Sequence, residues 1–402
     1  MKFNTFSALR HRNFRLFFFG QAVSLIGTWM HSLAQGWLVL KLTDSAFYLS
    51  LVQAMGSLPI LFLSLISGVV ADRVVKRNLL LVTQTLSMAL ALALALLVSF
   101  GTVHVWHVVA VATLLGVVNT FDIPGRQSFI VEMVGKEDLM NGIALNSAVF
   151  NGARVIGPAV AGILIGFAGL AACFYINAVS YIAIIACLAM MKLEAQPEKR
   201  EARPLWKELR EGLSYVRHAP ALSSFIFMVA VTSLFSIPYI ALMPIFARDI
   251  LNVGAKGLGV LMGSAGIGAL IGALTLATVG SVRRKGLVAL VSAVASSSAL
   301  LAFSFSRIPL LSNLLLVVIG WGMITQLATV NTLIQTDVPD ELRGRVMSLY
   351  TLVFLGFIPV GNLIVGTIAH LIGTPYAVAV GASVCLVTYA VLFSVKKELL
   401  SH

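Results

Sequence analysis

Charged residues are scarce in this 402-residue chain, where Asp, Glu, Lys and Arg together make up 11% of the sequence. A soluble domain has about a quarter of its residues charged, so this scarcity excludes an ordinary soluble protein. Hydrophobic residues make up 59%, and apolar runs of about 20 residues, long enough to cross a bilayer, recur throughout the chain. These runs are too long, and lack the alternation, for membrane-spanning strands. The composition therefore predicts an all-α polytopic membrane protein.

Cysteine is also rare, and Cys173, Cys187 and Cys385 all lie inside apolar runs. We expect them to be small core residues without a disulfide framework. The apolar runs contain no clusters of acids, histidines or metal ligands, which makes a membrane enzyme or a metal site the less favoured interpretation. A G-x-x-x-x-G-K-[ST] loop is missing too. ATP is therefore not expected to be the direct energy source, and no cofactor is predicted.

The apolar runs predict twelve membrane-spanning helices. The first run is too long for the core of a cleavable signal peptide and no small-residue cleavage site follows it, so we expect it to remain in the mature protein. The predicted spans are 14–40, 48–71, 79–100, 105–122, 141–167, 170–192, 221–246, 257–280, 286–306, 309–333, 345–371 and 374–396.

Basic residues are distributed unequally between the two sides of these spans. With both termini inside, 23 lysines and arginines fall in inner segments and 4 in outer loops. This bias predicts that both termini are cytoplasmic. It also explains the net charge of +12 by topology, so no nucleic-acid surface is predicted.

The longest polar stretch, 193–219, lies at the middle of the chain. Apolar residues recur in it at helical spacing, which predicts an amphipathic helix at the cytoplasmic interface; a solvated linker is the alternative. These apolar residues are Trp206, Leu209, Leu213 and Val216.

Two segments, beginning at Gln127 and Asn331, match in outline about 204 residues apart. A parallel repeat of six spans is typical of secondary transporters that bind substrate between two bundles. The expected domains are an N-terminal six-helix bundle, 1–192, the linker 193–219, and a C-terminal six-helix bundle, 220–402.

A charged segment between the second and third predicted spans contains a family motif. The run Gly68-Val-Val-Ala-Asp72-Arg73-Val-Val-Lys76-Arg77 resembles the loop 2–3 signature of the major facilitator superfamily, G-x-x-x-D-R-x-G-R-R, with Val75 in place of a glycine. Segments beginning at Gln21, Leu42 and Ile123 are similar to its bacterial drug and siderophore exporter branch, which includes the enterobactin exporter.

The fifth predicted span carries a second motif. Its segment from Ala153 to Gly162 resembles the antiporter signature G-x-x-x-G-P-x-x-G-G, matching it at Gly157, Pro158 and Gly162. The resemblance implies a monomeric alternating-access exporter of small amphipathic molecules in the bacterial inner membrane, coupled to protons. The alternatives are an uptake carrier or facilitator of the same fold and, from another class, a non-transporting sensor or scaffold.

The resemblance also implies a cytoplasmic gate. The family's loop acid, here Asp72, pairs with groups on the neighbouring half, and its loop cations pair with an acid at the end of span four, here Asp122. The alternative is that these charges only orient the chain in the membrane. The expected gating residues are Gly68, Asp72, Arg73, Lys76, Arg77, Asp122 and Arg126.

Two rows of polar residues predict a substrate cavity. The first-span stripe consists of Gln21, Ser24, Thr28, His31 and Gln35, and the fifth-span row consists of Ser147, Asn151 and Arg154. Helical spacing places each row on one face, and polar groups avoid lipid. Interhelical hydrogen bonding is the alternative for both rows. Arg154 would bind an anionic group or lock helices together. No acid is predicted at mid-membrane, so His31 is the candidate proton carrier, a structural hydrogen bond being its alternative.

Overall fold

A computed structural model describes residues 6–191, 205–278 and 284–395 of this chain; within these ranges it leaves out the side chains of residues 65, 69, 72, 205–210, 277, 278, 393 and 395. Helices account for nearly all of the described part, because a helix satisfies its own backbone hydrogen bonds in an apolar surrounding. They are α1 (Arg12–Thr43), α2 (Ala46–Arg73), α3 (Lys76–Ser99), α4 (Val105–Val134), α5 (Leu139–Ala189), α6 (Leu205–His218), α7 (Pro220–Val231), α8 (Tyr239–Ile245), α9 (Gly254–Thr278), α10 (Lys285–Phe305), α11 (Pro309–Asp337), α12 (Asp340–Ile372) and α13 (Thr374–Val395).

Ten helical segments in the described part are long and apolar enough to cross a membrane. One of them, α5, has 51 residues and is interrupted by Gly169, whose φ of 78° breaks it into two membrane-length pieces. Helix α1 is a further 32-residue helix whose mean hydropathy is lowered by the first-span stripe. These elements agree with the predicted all-α fold of twelve membrane helices.

Helix α4 is longer than the sequence predicted. The predicted span ended at residue 122, but the helix continues through Pro124 to Val134. The continuation is stabilised because Phe129, Ile130 and Met133 are buried in the surrounding core. Charged residues that end an apolar run therefore do not end this helix, and Asp122 lies well inside it.

The seventh predicted span, 221–246, is a helix interrupted by a π segment, Thr232–Ser236, and a second π segment, Phe246–Ile250, extends it beyond the predicted end. In the first segment the Ile237 N–H donates to the Thr232 carbonyl, five residues back, at 2.9 Å. Such π segments widen a helix and recur at functional sites.

The chain forms two compact units. Unit 1 comprises Met1–Leu42 and Leu58–Ala202, and unit 2 comprises Thr43–Ser57 and Arg203–His402. In unit 1, the Phe17 and Phe129 rings pack edge to face with centroids 6.1 Å apart. In unit 2, a core of buried apolar side chains is contributed by α6, α7 and α10 to α13.

Helix α6 lies in the stretch where an amphipathic helix was predicted, and in unit 2 it contacts the start of α12. Glu211 pairs with Arg345 at 2.7 Å. A Cβ on Gly212 would lie only 2.8 Å from the Arg345 carbonyl oxygen, so the two backbones are close. Val216 is buried in the unit 2 core, whereas Leu213 remains 47% exposed. The side chains of the other predicted apolar positions, Trp206 and Leu209, lie outside the description.

The beginning of α2 belongs to unit 2 and packs against α12. A Cβ on Gly366 would lie 2.2 Å from the Ser50 Cβ, which shows that the two helices are in close contact there. Just before α2, Asp44 pairs with Arg248, which also pairs with Asp249. The charge bias predicts that this group of charges lies on the outer side of the membrane.

Candidate functional site

The first-span stripe lies mostly inside unit 1. Gln21, Ser24, His31 and Gln35 are all buried, and Thr28 is half-buried. The Ser24 hydroxyl donates to Gln84 at 3.4 Å, Thr28 contacts the Tyr181 hydroxyl at 3.3 Å, and His31 Nε2 contacts Gln35 at 3.2 Å. These contacts are interhelical or local hydrogen bonds, so cavity lining by this stripe stays a prediction.

Asp122 is the centre of a buried polar network in unit 1. Its side chain is 2% exposed, and its Oδ1 accepts hydrogen bonds from Thr83 Oγ1 and Gln84 Nε2, both at 2.8 Å. Its Oδ2 pairs with Arg126, one turn further along α4. A buried carboxylate is stable in this position because a cation and two neutral donors compensate it.

Thr83 and Gln84 were not predicted as site residues. The available signal was the adjacent pair of polar residues in an otherwise apolar run, because isolated polar groups in such a run need a partner. The sequence placed Asp122 at the end of the fourth span, whereas the longer α4 continues beyond it to Val134.

Two cations of the loop 2–3 motif, Lys76 and Arg77, have partners other than Asp122. Lys76 Nζ lies 2.6 Å from Glu132 at the end of α4. Arg77 donates to the carbonyl oxygens of Leu188 and Ala189, both at 2.7 Å. Cations are favourable at a helix C-terminus, where carbonyl groups lack helical partners. The pairing implied for Lys76 and Arg77 is therefore replaced by contacts to the ends of α4 and α5, while Asp122 pairs deeper in the unit.

The remaining motif residues are less constrained. Arg73 is exposed, and apart from the chain neighbours and the adjacent backbone of α2, nothing lies within 4 Å of a Cβ placed on Gly68. The side chain of Asp72 lies outside the description. A gating role for any of these seven residues stays a prediction.

The antiporter-like motif forms a close contact between α5 and α1. A Cβ on Gly157 would lie 2.5 Å from the Trp29 Cβ and 2.8 Å from the Ile26 carbonyl oxygen. Pro158 and Gly162 are buried along the same helix. Small residues allow helices to approach closely in a membrane, so this motif fixes where α5 crosses α1.

The fifth-span row lies on α5 beside this crossing. The Asn151 side chain donates to the Ser147 carbonyl oxygen at 2.9 Å. The Arg154 guanidinium carbon lies 5.7 Å from the Trp29 ring centroid, within cation–π range. Trp29 also packs edge to face on Phe150, with centroids 5.8 Å apart.

Unit 2 contains a polar cluster that the sequence analysis missed. Thr232 contacts the Tyr389 hydroxyl at 2.6 Å and accepts a hydrogen bond from Gln326 Nε2 at 2.8 Å. Along the sequence, Thr28 and Thr232 are as many residues apart as Asp122 and Gln326. The two matching repeat segments, which begin at Gln127 and Asn331, have the same offset. The repeat offset was therefore a signal that could have located this cluster.

Asp138, in the loop before α5, has an environment that favours its ionised form. Hydrogen bonds from Ser7 and from His11, the latter at 2.8 Å, lower its pKa. A lowered pKa in the folded state contributes stability above the unfolded-state pKa, and that stability is lost as the pH falls.

Within the part of the chain that the structure describes, no group of three His, Cys, Asp or Glu side chains could hold a metal ion.

Curated relatives match most of the chain. It is 26% identical over 367 residues to the staphyloferrin A transporter of Staphylococcus aureus (strain NCTC 8325 / PS 47), covering 89% of this chain and 90% of that protein. It is 25% identical to the multidrug efflux pump Tap of Mycolicibacterium fortuitum, covering 84% of each. Enterobactin exporters match as well, as the sequence resemblance implied.

The fold matches solved transporters. The crystal structure of the nucleoside transporter NupG superposes with a TM-score of 0.74 at 14% identity, over 97% of this chain and 99% of that one. At this identity the likeness shows the fold alone. The transmembrane secretion effector family matches residues 3–400. This chain therefore belongs to the transmembrane secretion effector family of the major facilitator superfamily, and is a multi-pass membrane transporter of small substrates rather than an enzyme.

Proposed function

We propose that this protein is a secondary-active exporter of small amphipathic molecules, such as drugs or siderophore-like metabolites. The observation that carries the proposal is the match, over more than four fifths of each chain, to a staphyloferrin A transporter and a multidrug efflux pump. The resemblance of the segment from Ala153 to Gly162 to the antiporter signature supports the export direction. The proposed location is the bacterial inner membrane, with both termini cytoplasmic and the protein acting as a monomer within the lipid bilayer.

The proposed mechanism is alternating access between two six-helix bundles, 1–192 and 220–402, joined by the linker 193–219. Charged contacts that form in only one state can shift the populations of the two states strongly. Lys76 and Arg77 hold the ends of α4 and α5 around the loop 2–3 motif. These contacts anchor the motif to unit 1, and the proposed gate forms and breaks at Asp72 of the same motif.

The proposed energy source is the proton gradient. His31 is the candidate proton carrier because it is buried within α1 and its Nε2 has a polar partner in Gln35. Histidine titrates near neutral pH in water, so a change in its surroundings can make it bind or release a proton.

Transport by everted membrane vesicles tests the function. With the interior acidified, vesicles containing the protein are expected to accumulate a lipophilic dye, and a protonophore should abolish the accumulation. Vesicles from cells lacking the protein are the control. Accumulation only in right-side-out vesicles would instead support an uptake carrier, and no flux of any compound in either orientation would support a sensor or scaffold.

Asp72→Asn tests the gate. We expect transport to fall about tenfold, which corresponds to losing a contact that favours one state by about 1.4 kcal/mol. The unfolding temperature of the purified protein should change little, since the site lies in the loop 2–3 motif at the end of α2. Glu137→Gln is the matched control, because it removes an exposed acid on the same predicted side. Equal transport by both variants and the unaltered protein would contradict the gating role.

A further inference from the structure

A groove lies between α10 and α13 in unit 2, and the last residue of α12, Ile372, lines one end of it. Its volume is about 900 Å³, within the range of about 300–1,000 Å³ that is typical of small-molecule sites. Helix α10 contributes Leu301 and Phe305. The lining residues of α13 extend from Tyr376 to Thr388 and recur three and one positions apart, so they lie on one face of that helix.

The exposure of the lining residues shows that the groove has raised sides. Ala379 is only 8% exposed and lies at the floor of the groove, whereas Val387 on the same helix is 64% exposed. Phe305 is also exposed, on the α10 side. A molecule lying over Ala379 would therefore contact the protein on several sides at once. This shape favours a bound molecule over lipid that only touches a flat apolar surface.

The lining selects a long apolar occupant. None of the described side chains that line the groove is charged, and Ser383 and Thr388 add only hydroxyl groups. From Tyr376 to Thr388 the groove is about 18 Å long at about 1.5 Å per helical residue. One leaflet contributes about 15 Å of the hydrocarbon core of a bilayer. An acyl chain of one leaflet therefore fits the groove from end to end.

One end of the groove lies where the helices end. Helix α10 ends at Phe305, α12 ends at Ile372 and α13 begins at Thr374. The Phe305 and Tyr376 rings pack edge to face at this end, with centroids 6.1 Å apart. Tyrosine is favoured at a membrane–water interface because its ring is apolar and its hydroxyl is polar. This end of the groove is therefore expected at the depth of the lipid headgroups.

An exposed cation follows this end of the groove. Arg307 lies two residues beyond Phe305 and is exposed. The acids Asp44 and Asp249, on the predicted outer side of the same unit, pair with Arg248 instead. The phosphate of a phospholipid is an anion at headgroup depth, and the planar donors of a guanidinium match its geometry. The charge next to the groove therefore complements a phospholipid headgroup.

We propose that this groove is a binding site for a glycerophospholipid of the outer leaflet, with one acyl chain lying over Ala379 and the phosphate beside Arg307. A lipophilic substrate is the rival occupant, because an apolar lining alone would accept it as well. The position of the aromatic pair and of Arg307 at one end favours the phospholipid. The inference goes beyond the export function and does not depend on it, because lipid binding can be measured without transport.

A phosphatidylglycerol with a photoreactive diazirine in the middle of one acyl chain tests where the lipid binds. The detergent-purified protein is mixed with this lipid at an equimolar ratio and irradiated, and the labelled peptides are identified by mass spectrometry. We expect the label to concentrate between Tyr376 and Thr388 and at the end of α10. Label spread evenly over the exposed apolar helices would overturn the inference.

Substitutions inside and outside the groove test the occupant. Ser383→Phe places a ring in the groove and should weaken phosphatidylglycerol binding, measured by native mass spectrometry, about tenfold. Arg307→Gln should weaken it about fivefold, the contribution of one basic residue near a membrane surface, and should leave the binding of a diacylglycerol with the same chains unchanged. Ser394→Phe is the matched control, because it adds the same ring at an exposed position of α13 outside the groove. It should bind like the unaltered protein.

Four results would contradict the proposed site. Equal phosphatidylglycerol binding by Ser383→Phe and the unaltered protein would show that the lipid binds elsewhere. Equal loss of phosphatidylglycerol and diacylglycerol in Arg307→Gln would remove the phosphate contact. Displacement of phosphatidylglycerol by the lipophilic dye of the vesicle assay would assign the groove to substrate. If a lowered unfolding temperature shows that Ser383→Phe is misfolded, Val387→Trp gives the same test from an exposed position, and unchanged binding by that variant would overturn the inference.

Discussion

Asp122→Leu is expected to destabilise the folded protein by about 3–5 kcal/mol, the range found when one partner of a buried ion pair is removed. The substitution leaves the Arg126 cation without its carboxylate in a site where that side chain is only 17% exposed. It also removes the acceptor of Thr83 and Gln84, so two buried donors on α3 lose their partner. The measurement is the unfolding temperature of the purified protein in detergent, followed by intrinsic fluorescence.

The double variant Asp122→Leu with Arg126→Leu is the decisive control. Removing both charges avoids the buried unpaired cation, so the double variant should be more stable than Asp122→Leu alone. Asp122→Asn should fall between Asp122→Leu and the unaltered protein, because the amide oxygen can still accept a hydrogen bond from α3. If the double variant is no more stable than the single one, the ion pair is not what stabilises this network.

Gly268→Ala is expected to cost about 1–3 kcal/mol through overpacking between α9 and α11. An added Cβ would lie 2.0 Å from the Val317 carbonyl oxygen, and a backbone atom cannot move aside as a flexible side chain can. The contact is reciprocal, because a Cβ on Gly320 would lie 2.1 Å from the Ala265 carbonyl oxygen. The two helices would have to separate along their whole interface to accept even one methyl group.

Gly152→Ala provides the matched control for this substitution. Gly152 also lies in a membrane helix, but apart from its chain neighbours and the adjacent backbone of its own helix, nothing lies within 4 Å of a Cβ at that position. Alanine is the better helix former, so Gly152→Ala should leave the unfolding temperature unchanged or raise it slightly. Both variants should be compared by the fraction of monodisperse protein after solubilisation and by unfolding temperature. Similar values for both would show that the α9–α11 contact is looser than the structure indicates.

Sequence reasoning predicted the helical class because long apolar runs leave few other ways to satisfy the backbone. It did not predict the length of α4, since hydropathy falls at Asp122 while the backbone hydrogen bonds continue past Pro124. The position of Asp122 depends on that continuation. Its partners Thr83 and Gln84 lie on another helix, and no local pattern states which face of α3 meets α4.

The two family motifs predicted which residues of the chain are important, but they did not predict which other residues these would contact. The antiporter resemblance located Gly157 but did not indicate that Trp29 occupies the space opposite it. The loop 2–3 resemblance located Lys76 and Arg77, and their partners Glu132 and the end of α5 follow only from how those helix ends meet. A family signature fixes which residues are present, whereas the three-dimensional packing fixes what each of them contacts.

The packing of the start of α2 in unit 2 has a consequence for dissecting the protein. A gene cut at the central linker would give a second fragment that lacks Thr43–Ser57, a segment of its own compact unit. That fragment would leave Arg248 without Asp44 and the surface around Gly366 without Ser50. Complementation by two separately encoded fragments is therefore expected to require that the first fragment donate the beginning of α2, so the fragments would have to fold together.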